Sequence, residues 1–146
     1  MSHFYREQWI NSPLIEVFEF FSQAKNLESI TPDFLNFKIL TPEPIVMREG
    51  LLIDYQLRLR GIPFRWQSEI STWDPPYCFV DDQVKGPYRE WHHRHTFKEE
   101  GEGTCVIDDV RYRIWGGSWV DRLLVRPEVE RIFNYRREKL AAYFAD

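Results

Sequence analysis

The sequence predicts an α+β fold in which seven antiparallel strands form one curved sheet around a long C-terminal helix. Three observations lead there. A first strand is followed by a proline-led helical stretch, six later segments alternate apolar and polar residues between Pro or Gly breaks, and helical periodicity returns from Pro127 onward. Strand starts about ten to fifteen residues apart with short turns favour a meander over crossover units.

In chain order, residues 3–10 alternate as a strand. Asn11-Ser12-Pro13 then offers a cap and a first-turn proline to the helix LIEVFEFF, where Leu14, Val17, Phe18 and Phe21 recur at helical spacing. Leu27 and Ile30 carry the stripe through a second short helix that must stop by Thr31-Pro32. The alternating segments cover 36–41, 51–60, 64–73, 77–85, 88–98 and 104–114. The closing helix holds Val129, Ile132, Phe133, Leu140 and Phe144 on one side. One helix cannot cover seven strands, so the sheet must curve around it and leave interior volume. With no repeat, linker or low-complexity tract, residues 1–146 read as one domain.

Composition narrows the function. Aromatic residues make up 16% of the chain, with six Trp and eleven Phe, so the core or a cavity within it must be lined with rings. A net charge of -4, with both signs interspersed, supplies no basic field for phosphates, and nucleic acid is not an expected partner. The start MSHFYREQWI lacks a secretory pattern, and no run approaches the roughly 18 apolar residues of a membrane span. The expected location is cytoplasmic. Cys78 and Cys105 fall within strands without CxxC spacing and read as buried, reduced thiols. GxSxG, GxxxxGK[ST] and GxGxxG are all missing, so no cofactor is expected.

The chemistry concentrates in Asp81–Phe97, DDQVKGPYREWHHRHTF. At strand period, Trp91, His93, His95 and Phe97 share one face, while Glu90, His92, Arg94 and Thr96 share the solvated one. Across the Gly86-Pro87 turn, Phe79, Asp81 and Gln83 form a second alternating set able to lie beside the first. Asp108 belongs to the next strand, and an inward Asp81 or Asp108 needs a partner, for which histidine is the natural choice. Tyr55, Trp66, Trp91 and Tyr112 join these polar residues as candidate cavity walls, each ring pairing an apolar body with a polar handle. Arg136 sits on the apolar stripe of the last helix, where a buried guanidinium needs an acidic partner or a ligand group.

This pattern resembles the START and polyketide-cyclase superfamily, also called SRPBCC, in its bacterial ligand-binding branch. The carriers are Pro13-Leu14-Ile15-Glu16-Val17-Phe18, Asn26-Leu27, Thr31-Pro32, Gly61-Ile62-Pro63 with Trp66, and above all Phe79, Asp81, Gln83, Gly86-Pro87-Tyr88, Trp91, His93, His95 and Phe97. Gly103-Thr104, Asp108, Val110 and Tyr112 follow, then Ile132-Phe133 and Tyr135-Arg136. The likeness spans nearly the whole chain and implies a helix-grip fold with an internal cavity for an apolar or aromatic molecule. One departure is Ile114-Trp115-Gly116-Gly117, which lacks the proline expected beside the glycine and bears on the pocket mouth near Trp115 and Trp119.

Several roles remain open for the inward residues. His93 and His95, with Cα atoms about 6.5–7 Å apart on one strand, have the spacing to chelate a metal with Asp81 or Asp108 as a third ligand. The expectation is instead that they bond to those aspartates, with no resident metal. An Asp81, His93 or His95 acid–base role and a purely register-holding role are both compatible with the spacing. The functional expectation is a non-catalytic binder or carrier of a small hydrophobic or aromatic molecule. The rivals are a cofactor-independent cyclase or dehydratase and a protein-interaction module.

Overall fold

The computed structural model describes residues 1–145. The chain runs β1 (Ser2–Ile10), α1 (Leu14–Phe21), α2 (Lys25–Ser29), a 3-10 turn (Asp33–Leu35), β2 (Lys38–Ile39), β3 (Leu52–Leu59), β4 (Ile62–Asp74), β5 (Cys78–Lys85), β6 (Glu90–Glu100) and β7 (Gly103–Arg113). A short helical turn α3 (Ser118–Val120), a π-helical turn (Asp121–Val125) and the long helix α4 (Arg126–Tyr143) complete it. The seven strands form one antiparallel sheet in the order β1-β7-β6-β5-β4-β3-β2. That is the expected meander, closed by β1 returning beside β7, and it gives the helix-grip arrangement.

Local chemistry explains the elements. The β3–β4 hairpin turns on Arg60-Gly61, both at positive φ (52° and 79°), the backbone that a two-residue turn needs to follow strand twist. Register shifts at Gln67/Ser68 and Ile70/Thr72 bend β4 against β5 and help to curve the sheet. Where β1 meets β7, a Cβ on Gly103 would collide with the Ile10 carbonyl oxygen, so only glycine fits there.

Helix α1 buries Leu14, Val17, Phe18, Phe20 and Phe21 in a core shared with Phe79 and Phe97 of the sheet and Leu140 of α4. A second cluster joins Val129 and Phe133 of α4 to Phe4, Val110 and Tyr112. These two contacts anchor α4 over the β1–β7–β6 side. On the β3–β4 side the sheet curves away, and Ile53, Tyr55 and Ile70 are packed by Leu27, Phe37 and Met47 instead.

Three details differ from the sequence reading. Only Lys38–Ile39 of the 36–41 segment is strand: Asn36 is left-handed, the Thr41 hydroxyl takes the Asp54 amide in place of a backbone carbonyl, and Pro42 and Pro44 have no N–H to give. Pro13 itself occupies the α1 N-cap without a side-chain cap bond, and the Ser12 hydroxyl donates to Glu16 instead. Helical structure also begins at Ser118, before Pro127, because the π turn carries α3 directly into α4. No helix among the described residues is long and apolar enough to cross a membrane.

Candidate functional site

Between the curved sheet and α4 lies a cavity of about 180 Å³. Its sheet wall comes from β3 to β6. Alternation along β6 turns His93 and His95 inward, each 4% exposed, while the flanking Glu90, His92 and Arg94 face solvent. The helix wall is Val129, Ile132, Phe133 and Arg136, one turn apart on α4. Phe20, Phe21 and Leu27 of the two short helices, with Phe37 and Met47, close the end toward the edge of the sheet.

The polar centre is a crossed pair of bonds. The ladder sets Asp81 of β5 opposite His93 and Asp108 of β7 opposite His95. Each imidazole nevertheless bonds to the diagonal carboxylate: His93 Nε2 to Asp108 Oδ1 at 2.7 Å and His95 Nε2 to Asp81 Oδ2 at 2.6 Å. The directly opposed contacts are longer, 3.9 Å for His93 to Asp81 and 3.7 Å for His95 to Asp108. This crossing lays one ring on the other, with centroids 3.6 Å apart and planes at 25°. Phe79 stacks on the outer face of His95 at 4.0 Å, and Trp91 and Phe133 each make a T-shaped contact with His93.

Arg136 brings the balancing charge. Its side chain is 9% exposed, and Nη2 lies 3.9 Å from Asp108 Oδ1, beyond hydrogen-bond reach. Among the described residues, Nε and Nη2 have no hydrogen-bond partner, and neither has Nδ1 of His95.

Burial works against the charge on Asp108, but the Arg136 guanidinium and the His93 bond hold its carboxyl well below the usual range. Asp81 is likewise held down against burial, by the His95 bond and by the neighbouring imidazole and guanidinium charges. Burial pushes His95 to about 4, aided by His93 and opposed by Asp81, so the ring is neutral at pH 7. A carboxylate only accepts, so Nε2 of His95 carries the hydrogen and Nδ1 keeps a bare lone pair.

Asp81, His93 and His95 have ligand atoms within 4.8 Å of one another, close enough to consider a metal. Nearly parallel stacked rings, however, send their in-plane lone pairs side by side instead of toward one point. Chelation would require the stack to open and the His95–Asp81 bond to break. The Arg136 charge further opposes a cation here.

The sequence-derived residues fall into two groups. Tyr55, Trp66, Asp81, Trp91, His93, His95 and Arg136 line the cavity together. Gln83, Asp108 and Tyr112 do not. Gln83 instead clamps the 83–88 turn, donating to the Tyr88 carbonyl and accepting from its amide. Asp108 stands behind the imidazoles, bonded to His93 and facing the Arg136 guanidinium. The Tyr112 hydroxyl donates to Asp121 of the π turn at 2.7 Å. Trp115 and Trp119 are exposed and are not cavity-lining, so they do not form its mouth.

Ser68 and Tyr88 are among the lining residues that the sequence reading did not name as site members. Ser68 accepts from Trp66 Nε1 at 3.0 Å and meets the Tyr55 hydroxyl, whose ionisation burial drives far upward. Its signal was its place two residues beyond Trp66 on the same strand face. Tyr88, held by Gln83, packs against Trp66 and Trp91.

The chain matches the family described as polyketide cyclase / dehydrase and lipid transport over residues 10–141. No curated protein matches it. Among solved structures, a protein from Thermus thermophilus is 20% identical with a TM-score of 0.71, covering 97% of this chain and 99% of that one. The ginseng major latex-like protein 151 from Panax ginseng is 13% identical at a TM-score of 0.73, with 99% and 98% covered. A START superfamily protein from Mycobacterium smegmatis is 8% identical at 0.70, with 94% and 96% covered. At these identities the solved structures establish a shared fold.

Proposed function

The chain belongs to the polyketide cyclase / dehydrase and lipid transport family, and from that premise we propose that residues 1–146 act as one cytoplasmic domain that binds or carries a small hydrophobic or aromatic molecule in the cavity beneath α4. The observation that carries this reading is the lining: aromatic rings surround the space, and its charged groups are few, Asp81 on the sheet wall and Arg136 on the helix wall. An apolar body with one oriented polar group matches such a cavity. The free, buried thiols of Cys78 and Cys105 support the cytoplasmic assignment. Denaturing extraction of freshly purified protein, followed by mass spectrometry, tests the reading. A co-purifying apolar or aromatic compound at near-stoichiometric level is expected, and an extract that stays empty across several expression hosts argues against a carrier.

One observation favours a second reading, cofactor-independent acid–base catalysis: the hydrogen-bonded Asp81–His95 pair lines the same cavity. In a carrier, His95→Gln leaves affinity within about tenfold. In a catalyst the same change removes about two to four decades of rate.

A further inference from the structure

The cavity has two polar poles, and they differ in one respect. At Ser68 the groups satisfy one another, since Trp66 and Tyr55 both meet its hydroxyl. At Arg136 they do not: a guanidinium more than nine-tenths buried lines the cavity with Nε and Nη2 unpartnered. Asp108, its nearest counter-charge, already accepts from His93. Buried donors without acceptors cost stability, so a group retained in this state at a cavity wall marks where a ligand atom belongs.

The charges at that pole select the ligand's chemistry. Asp81 and Asp108 set two carboxylates against one guanidinium, and a ligand carboxylate would add a third negative charge in a poorly solvated site. The third unpartnered atom, Nδ1 of the neutral His95, is an acceptor. The unmatched set therefore contains donors and an acceptor, which a hydroxyl answers and a carboxylate does not.

We propose that the ligand is an uncharged hydroxylated aromatic molecule, its ring body among the cavity aromatics and its oxygen accepting hydrogen bonds from Arg136, and that carboxylates of the same shape are discriminated against. The inference rests on the cavity-binding reading above and narrows it to one class of compound.

Equilibrium dialysis at pH 7 with three matched probes, naphthalene, 2-naphthol and 2-naphthoate, tests it on the wild-type protein. The expected order is 2-naphthol tightest, about tenfold tighter than naphthalene, as one hydrogen bond to a charged group provides, with 2-naphthoate weakest. In Arg136→Leu the gap between naphthol and naphthalene should close; should that variant not fold, the wild-type order decides alone. Equal binding of naphthalene and 2-naphthol overturns the Arg136 assignment while leaving the cavity reading standing. Tightest binding of 2-naphthoate overturns the preference for an uncharged group and again leaves the cavity. Failure of all three to bind overturns both.

Discussion

His93 stands directly across the β5–β6 ladder from Asp81, yet its Nε2 hydrogen-bonds Asp108 on the far side, leaving Asp81 at 3.9 Å. His95 makes the converse choice. The two carboxylates are thereby unequal: Asp108, 10% exposed, also faces Arg136, whereas Asp81, 19% exposed, retains some access to water.

That inequality predicts the ranking of two isosteric changes. Asp108→Asn removes the counter-charge of a buried guanidinium and should cost about 3–5 kcal/mol. Asp81→Asn leaves a group that water still reaches and should cost about 1–2 kcal/mol. Urea unfolding of both variants at pH 7 measures the difference, and a larger loss for Asp81→Asn contradicts the assigned roles.

The same cluster makes stability depend on acid. His95 has its pKa lowered from 6.5 to about 4, so the unfolded chain binds this proton first and stability falls as pH drops from 6.5 toward 4. The aspartates are lowered from 3.8, so their contribution is present above that value and is lost below it. At about 1.4 kcal/mol per pKa unit, the His95 share amounts to a few kcal/mol. Thermal melts at pH 7, 5.5 and 4.5 should show the wild-type midpoint falling, and His95→Gln should fall less steeply over that range. A wild-type midpoint constant between pH 7 and 4.5 rules this out.

Much of this arrangement was legible beforehand because strand alternation is rigid. Once Trp91 and Phe97 are assigned inward, His93 and His95 must follow, and the neighbouring strands bring Asp81 and Asp108 alongside. Arg136 was legible for a similar reason, sitting three residues beyond Phe133 and four before Leu140 on the buried stripe. Alternation fixes a face, however, and not what a side chain does there. Gln83 and Tyr112 are both long enough to reach local partners, and they bind a turn and Asp121 respectively. The π turn at Asp121–Val125 leaves no mark in a pattern read at 3.6 residues per turn. The diagonal bonding is equally hidden, since it depends on side-chain rotamers.

Gln83 and Tyr112 therefore lead to opposite expectations. The Tyr112 hydroxyl serves Asp121, which also accepts from Ser2, so Tyr112→Phe removes one of the two hydrogen bonds that the Asp121 side chain accepts from β1 and β7. It should cost about 1 kcal/mol and leave the affinity for 2-naphthol unchanged, because Tyr112 does not line the cavity. Gln83→Ala strips two hydrogen bonds from the backbone of Tyr88, whose ring does line it. Freed of that clamp, Tyr88 loses its fixed seat against Trp66 and Trp91, and 2-naphthol should bind several-fold more weakly in addition to a stability loss of about 1–3 kcal/mol. Urea unfolding and dialysis on the two variants separate the effects. Weakened binding in Tyr112→Phe with unaltered binding in Gln83→Ala would reverse the assignment of which residue shapes the cavity.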